Sequence, residues 1–457
     1  MRLKVATLGR SVKRDLPIEF GSEELTSYGG LELVRRYLDR LRLRHRVSDA
    51  LASCGLKGDY ASSQMVVLVV TLLIVGARRL EQLGYIATDP LVRRICELNR
   101  MPSARTVRNW LRQFTNRSLD ALRRLNWQLV VEQVEHLGLS RITLDVDGTV
   151  VRTGRQAQWA FRGFNRHHRK DKSYYPLLAH VAQTGQILRL KNRPGNVHDS
   201  TGALDFLREE IRGLRQRLGR AVVLECRMDA AFFQRGILKL LRREGCEYAI
   251  KVPFCSWVGL RPLVAARTHW TSVDDKLSYF ETNLRLDVWD LELRVLIYRK
   301  RVAHQTRKNF QLDLFSPDDG HYEYSAITTN KALGGAALWH FAAGRGAQEK
   351  TIAELKGEFA LDAVPSRDYG ANSAWQQLSI LAHNILKGFQ LDTIAETKPR
   401  TAKRTASYIL QSMRTLRFEV IARAARLCRP QGRPVLRLNA NPRTRQLYEA
   451  IEAALAA

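Results

Sequence analysis

The chain reads as a mixed α/β protein: a helical N-terminal third, a sheet-bearing middle and a basic helical end. Hydrophobic periodicity is helical up to about residue 140 and then switches to strand alternation. The strands that follow are broken by only a few helices, which suits a mixed sheet better than a regular βαβ repeat. A third observation bounds the partners. Lys and Arg total 74 against 45 Asp and Glu, a net charge of +29 with a pI near 10.3. Such a chain repels itself strongly unless a polyanion is a routine partner.

The basic excess is spread over 40–46, 162–172, 212–220 and 400–433, so basic faces on folded domains are expected rather than one disordered tail. A merely basic, ribosome-associated protein is the competing reading. With 457 residues and 45% apolar composition, two to four domains can each bury a core. The six cysteines form no Cys-x-x-Cys pair, which argues against zinc and disulfide frameworks and for a reducing, cytoplasmic setting. The most apolar run, residues 65–77, is too short to span a bilayer and is expected as a buried helix, with no membrane partner. No apolar secretory segment is apparent at the N-terminus.

Residues 1–140 carry apolar residues at helical spacing at 31–43, 65–77 and 90–98. Ser103 is placed as an N-cap for a helix whose apolar stripe is Val107, Trp110, Leu111 and Phe114. Arg105, Arg108 and Arg112 share another face, so a helix-turn-helix element contacting DNA is one reading and an ordinary arginine-bearing surface helix the other. From 141 to 252, strands are expected at 141–151, 174–182, 187–192, 221–227 and 248–252, with helices at 201–218 and 230–244. Residues 253–330 form a β-rich insertion, with alternation at 284–298 and 322–329. A long helix resumes near Gly346, another covers 375–389, and 331–395 completes the core. The Arg-rich region 396–457 reads as mostly helical.

Three acidic positions stand out. In Leu144-Asp145-Val146-Asp147-Gly148-Thr149, alternation puts Asp145 and Asp147 on one face, about 6.6 Å apart from roughly 3.3 Å per residue. Two such carboxylates repel unless they share a cation or a proton, and a metal is the simplest explanation. Asp229 ends a second apolar strand just before a helix, a common place for functional residues in α/β sheets. Around Glu349, Arg345, Ile352 and Lys356 lie near one helical line, whereas Glu354 sits about 140° away.

The Arg345-x3-Glu349-x6-Lys356 spacing resembles the Tyr-Arg-Glu-Lys box of insertion-sequence transposases with an Asp-Asp-Glu triad. The texts Leu144-Asp-x-Asp147-Gly-Thr149, Arg193-Pro-Gly-Asn196-Val-His198, Arg227-x-Asp229-x-x-Phe232 and Leu381-Ala-His-Asn384 are similar as well. The resemblance is nearest to the thirteen-eighty insertion-sequence family and runs from about residue 28 to 390. The box tyrosine is missing: Ala342 stands at its position, beside Phe341.

The resemblance implies an RNase H-like, retroviral-integrase-like core preceded by an α-helical DNA-end-binding domain. It also implies a bacterial, nucleoid-associated enzyme that moves its own element by cut-and-paste. Asp147, Asp229 and Glu349 would be the catalytic triad, holding two Mg²⁺ ions (Mn²⁺ as substitute) with Asp145 as a further ligand. Arg345 and Lys356 would meet DNA phosphates, and His198 and Asn384 would lie at the periphery. Trp257, Trp270 or Trp289 would capture a flipped base. The partners would be double-stranded DNA, as terminal inverted repeats and target, bound by a homodimer. Three rivals are kept: a domesticated, non-catalytic DNA-binding protein, an RNase H-like nuclease that cuts without joining, and a haloacid-dehalogenase-type phosphatase, in which Asp145 would be the nucleophile and Asp147 a general acid/base.

Overall fold

In a computed structural model, residues 15–21, 23–154, 156–163, 170–302, 322–398 and 405–456 are described. Parts of the basic runs at 162–172 and 400–433 (164–169 and 400–404) lie outside them.

The longer helices before the sheet are α1 (Leu31–Arg40), α2 (Leu43–Leu51), α3 (Ser62–Ile74), α4 (Pro90–Cys96), α5 (Ala104–Leu111) and α6 (Asn116–His136). Helix α3 holds most of the apolar run. Every residue from Met65 to Ile74 is buried, as an all-round apolar helix requires. No described helix is long and apolar enough to cross a membrane.

Among the described residues one nine-stranded sheet organises the molecule. Its strands are β1 (Arg141–Gly148), β2 (Leu177–Val181), β3 (Gln186–Lys191), β4 (Val223–Met228), β5 (Glu247–Val252), β6 (Thr271–Ser272), β7 (Leu277–Leu286), β8 (Leu291–Arg301) and β9 (Tyr322–Thr329). They lie side by side as β6-β7-β8-β9-β5-β4-β1-β2-β3. The pairs β1–β4 and β4–β5 are parallel, and the rest are antiparallel. The β-rich segment after 253 thus extends the same sheet past β5 instead of forming a separate one.

One face of the sheet is covered by α7 (Ala203–Leu218) and α8 (Arg235–Arg243), whose Phe206, Leu207, Ile211, Ile237 and Leu241 pack on Ile142, Leu144, Leu224 and Ile250. After the sheet come α9 (Gly335–Ala343), α10 (Gly346–Phe359) and α11 (Tyr369–Thr393). Helix α11 is buried from Ala371 to Leu391 and forms the axis of a second core. That core joins α1–α6 to Ile352, Leu355 and Phe359 of α10 and to Met413, Leu416 and Ile451. The N-terminal helices therefore share one apolar core with the helix that carries Glu349.

The basic end, expected to be mostly helical, is partly strand. Ala425–Cys428 and Val435–Leu438 form a three-stranded antiparallel sheet with Leu25–Thr26, and only then does helix Pro442–Ala456 follow. The alternation Val435-Leu-Arg-Leu438 is too short to stand out against its arginines.

Candidate active site

Strand β1 lies between β4 and β2 and is covered on both faces, so depth as well as side sorts its polar residues. Thr143 and Asp145 are buried, and Asp147 surfaces at the carboxyl end. The parallel register pairs Asp145 with Arg227 and Val146 with Met228. Asp147 and Asp229, the next residues along, therefore sit level at the ends of neighbouring strands, which run about 4.8 Å apart. Each carboxylate accepts a backbone N–H, Asp147 from Gly148 at 2.9 Å and Asp229 from Ala230 at 2.6 Å.

Arg345, at the N-terminus of α10, reaches between them. Its guanidinium is 2.6 Å from Asp147 Oδ2 and 3.5 Å from Asp229 Oδ2. Burial pushes Asp147 up to about 6; Arg345 opposes this, while the negative charges of Asp199 and Asp229 add to it. Burial also pushes Asp229 up, but Arg345 and Lys251 outweigh it and hold that carboxyl below its ordinary value. Glu349 is exposed in the first turn of α10. With Asp229, Lys251 and Arg345 it lines a cleft of about 590 Å³. Among the described residues no three Asp, Glu, His or Cys side chains converge closely enough to hold a metal ion. The two aspartates already share one cation, the Arg345 guanidinium.

Glu354, five residues on, points elsewhere. It meets Lys387 at 2.9 Å and His383 at 3.3 Å on α11, and accepts the Met413 N–H at 3.1 Å. Lys356 donates to the Val150 carbonyl at 2.8 Å, tying α10 to the turn after β1. An ammonium has three donors, so two N–H remain for other acceptors.

Several expected site residues stand elsewhere. Asp145, expected as a further metal ligand, has both oxygens on Arg227, at 2.6 and 2.7 Å, with His180 at 3.3 Å. It is fully buried, so it can be neither an accessible ligand nor the nucleophile that the phosphatase reading requires. Strand alternation reports the face and is silent on depth. Asn384 is a buried clamp on β3, accepting the Ile187 N–H at 2.8 Å and donating to the Ile187 carbonyl at 2.7 Å. His198 is exposed and bonds Ser200.

Helix α5 begins at the Ser103 cap, which accepts the Thr106 N–H at 3.1 Å. Two of its three arginines are already engaged within the chain. Arg108 bonds Glu81 and the Pro365 carbonyl, and Arg112 bonds Asp368 at 2.8 Å, so both dock the helix on the segment before α11. Arg105 is exposed. Of the tryptophans, Trp257 and Trp289 cluster on Phe233, four residues past Asp229, with ring centroids 5.1 Å apart. Trp270 packs edge-on to Phe280, under the Arg299 guanidinium.

Arg227, quoted in the Arg227-x-Asp229 motif without a role, is a structural residue. Beyond Asp145, its Nη1 donates to the Phe341 carbonyl at 2.9 Å and Thr405 Oγ1 at 2.7 Å. A Cβ on Gly344 would lie 2.3 Å from that Nη1, so the turn into α10 is glycine because the guanidinium fills the space. One buried arginine thus fixes the first acidic strand and the entry to the Glu349 helix. Two charged residues, Glu225 and Arg227, inside an apolar strand were the available signal.

The strand order, the placing of Asp147 and Asp229 and the helix crossing above them are consistent with an RNase H-like core of the Asp-Asp-Glu kind. The Transposase DDE domain group 1 family matches residues 9–457, and the chain belongs to that family. It is a DNA transposase, an enzyme that cuts and joins DNA strands. Enzymes of this family generally use divalent metal ions. Among solved structures the chain is similar to the piggyBac transposase in a synaptic complex with hairpin DNA. Identity is 10% over 85% of this chain and 79% of that one, with a TM-score of 0.43. No curated protein matches.

Proposed function

We propose that the chain moves its own insertion sequence by cut-and-paste, recognising terminal inverted repeats, with Asp147, Asp229 and Glu349 as catalytic residues. The observation that carries this reading is Arg345 held between Asp147 and Asp229 at the ends of two parallel strands, beside the exposed Glu349. These acids would hold divalent ions, and all-oxygen donors suit Mg²⁺, two per site, with Mn²⁺ as substitute. When bound, such ions activate the attacking oxygen and stabilise the leaving one. Arg345 and Lys356 would turn toward the phosphate at the cut, supplying cationic stabilisation once the ions take over the aspartates. The spacing of Arg345, Glu349 and Lys356 supports a place among the thirteen-eighty insertion sequences.

Double-stranded DNA would bind along the basic surface as a homodimer, since pairing two element ends needs two active sites. Arg105 is the arginine of α5 best placed for DNA. Trp257 and Trp289, clustered on Phe233 four residues past Asp229, suit a flipped base better than Trp270, which packs on Phe280. Because the N-terminal helices share a core with α10 and α11, end binding belongs to the whole chain. Affinity for a terminal-repeat duplex is expected to fall at least ~10³-fold between 50 and 200 mM salt if six or more phosphates are contacted. A fluorescence-anisotropy titration at several salt concentrations checks this, and a flat response would contradict an electrostatic interface.

The site assignment is tested on α10 itself. Glu349→Gln is expected to abolish Mg²⁺-dependent cleavage of the element's ends while leaving DNA binding intact. Glu354→Gln should remain largely active but lose stability. Burial pushes Glu354 up, yet the His383 hydrogen bond and the Lys387 charge hold it well below the usual carboxylate range. A depressed carboxyl stabilises the fold above its unfolded value of about 4.3 and loses that contribution as pH falls below it. The melting difference between wild type and Glu354→Gln should therefore be full at pH 7 and shrink in acid. Cleavage lost in Glu354→Gln and kept in Glu349→Gln would reverse the assignment.

A further inference from the structure

The loop after β3 brings a fourth acid to the site, at Asp199. Arg193, only 5% exposed, organises this loop from within. Its Nε donates to the Tyr175 carbonyl at 2.9 Å, and its Nη1 to the carbonyls of Asp199 at 2.9 Å and Thr201 at 2.7 Å. The Tyr175 hydroxyl in turn donates to Asp199 Oδ1 at 2.5 Å. The second oxygen of Asp199 has no protein partner among the described contacts.

The position of that carboxylate explains a residue the triad leaves unexplained. A Cβ on Gly148 would lie 2.6 Å from Asp199 Oδ1 and 2.7 Å from the Tyr175 ring. The glycine after Asp147 is therefore required because Asp199 and Tyr175 press against the end of β1. Two carboxylates brought together in this way repel in the metal-free protein, and a hard cation that accepts oxygen ligands relieves the repulsion.

We propose that Asp199 is a positioning residue of the active centre, held by Tyr175 and Arg193 so that it supports Asp147 in holding a divalent cation. The inference rests on Asp147 being a metal-holding residue, and the experiment separates the two claims. Mn²⁺ is titrated into full-length protein without DNA, and free Mn²⁺ is followed by electron paramagnetic resonance. Wild type, Asp147→Asn, Asp199→Asn and Tyr175→Phe are compared, with melting curves to check folding.

Asp199→Asn is expected to weaken Mn²⁺ binding by roughly 10–100-fold, the usual effect of losing an outer partner of a metal site. Tyr175→Phe keeps the acid but releases its orientation, and is expected to weaken binding by a smaller factor in the same direction. If Asp147→Asn loses Mn²⁺ while Asp199→Asn binds it like wild type, this inference is wrong and the Asp147 assignment stands. Wild-type affinity in Asp147→Asn would overturn the assignment beneath it. Should Asp199→Asn fail to fold, Tyr175→Phe decides, and wild-type affinity there overturns the proposal.

Discussion

An Asp147→Asn chain is expected to fold, to bind DNA like wild type, and neither to cut nor to join it. The loss should exceed about 100-fold, because even outer partners of metal sites are worth roughly 10–100-fold. The same variant separates chemistry from stability. Burial, with Asp199 and Asp229 adding to it against Arg345, pushes Asp147 up to about 6. A carboxyl raised above its unfolded value of about 3.9 stabilises the fold only while protonated, and that contribution is lost as pH rises from about 4 through 6. At pH 8 with EDTA, the uncharged asparagine should thus melt at or above the wild-type temperature. Mg²⁺ should raise the melting temperature of wild type and not of the variant, since only a site that binds the ion gains from it. An Asp147→Asn protein that still cleaved its own ends would end the assignment.

The largest effect on stability is expected at Arg227. Its pair with Asp145 is within 1% of full burial on both side chains, at 2.6 Å. Removing one partner of such a pair leaves an uncompensated buried charge and costs about 3–5 kcal/mol. For Arg227→Met this should appear as a melting temperature lower by roughly 3–5 °C, on an unfolding entropy of about 2.1 cal/mol/K per residue. Activity should fall too, because the Phe341 and Thr405 contacts that set the entry to α10 go with it. Combining Arg227→Met with Asp145→Leu should recover part of the stability, since an apolar pair of similar volume is often neutral or better than the ion pair it replaces. A single variant as stable as wild type would show that the pair is not a strut.

These two residues also mark how far the sequence can be read. The strands bearing Asp147 and Asp229 were legible because each is an apolar run ending in an acid, and Glu349 because its cations recur at helical spacing. Asp145 shares a face with Asp147, and only the pairing of β4 with β1 reveals that Arg227 already occupies it. The arginines of α5 have the same periodicity whether they face DNA or, as Arg108 and Arg112 do, a loop more than 250 residues on. Asp199 lies in an irregular loop, where no period points to the site. A boundary at 140 follows from the change in pattern, but helical periodicity does not say what a helix packs against. Here the partners are α10 and α11.

The central claim is that the acids at the ends of β1 and β4, with Glu349, join DNA strands as well as cut them. Precleaved ends of the element are incubated with a supercoiled plasmid, the full-length protein and Mg²⁺, and the DNA is resolved on a gel. Plasmid covalently joined to the ends, absent with Asp147→Asn, is the predicted result. Plasmid or ends cut without any joined product would contradict the account and leave a nuclease in its place.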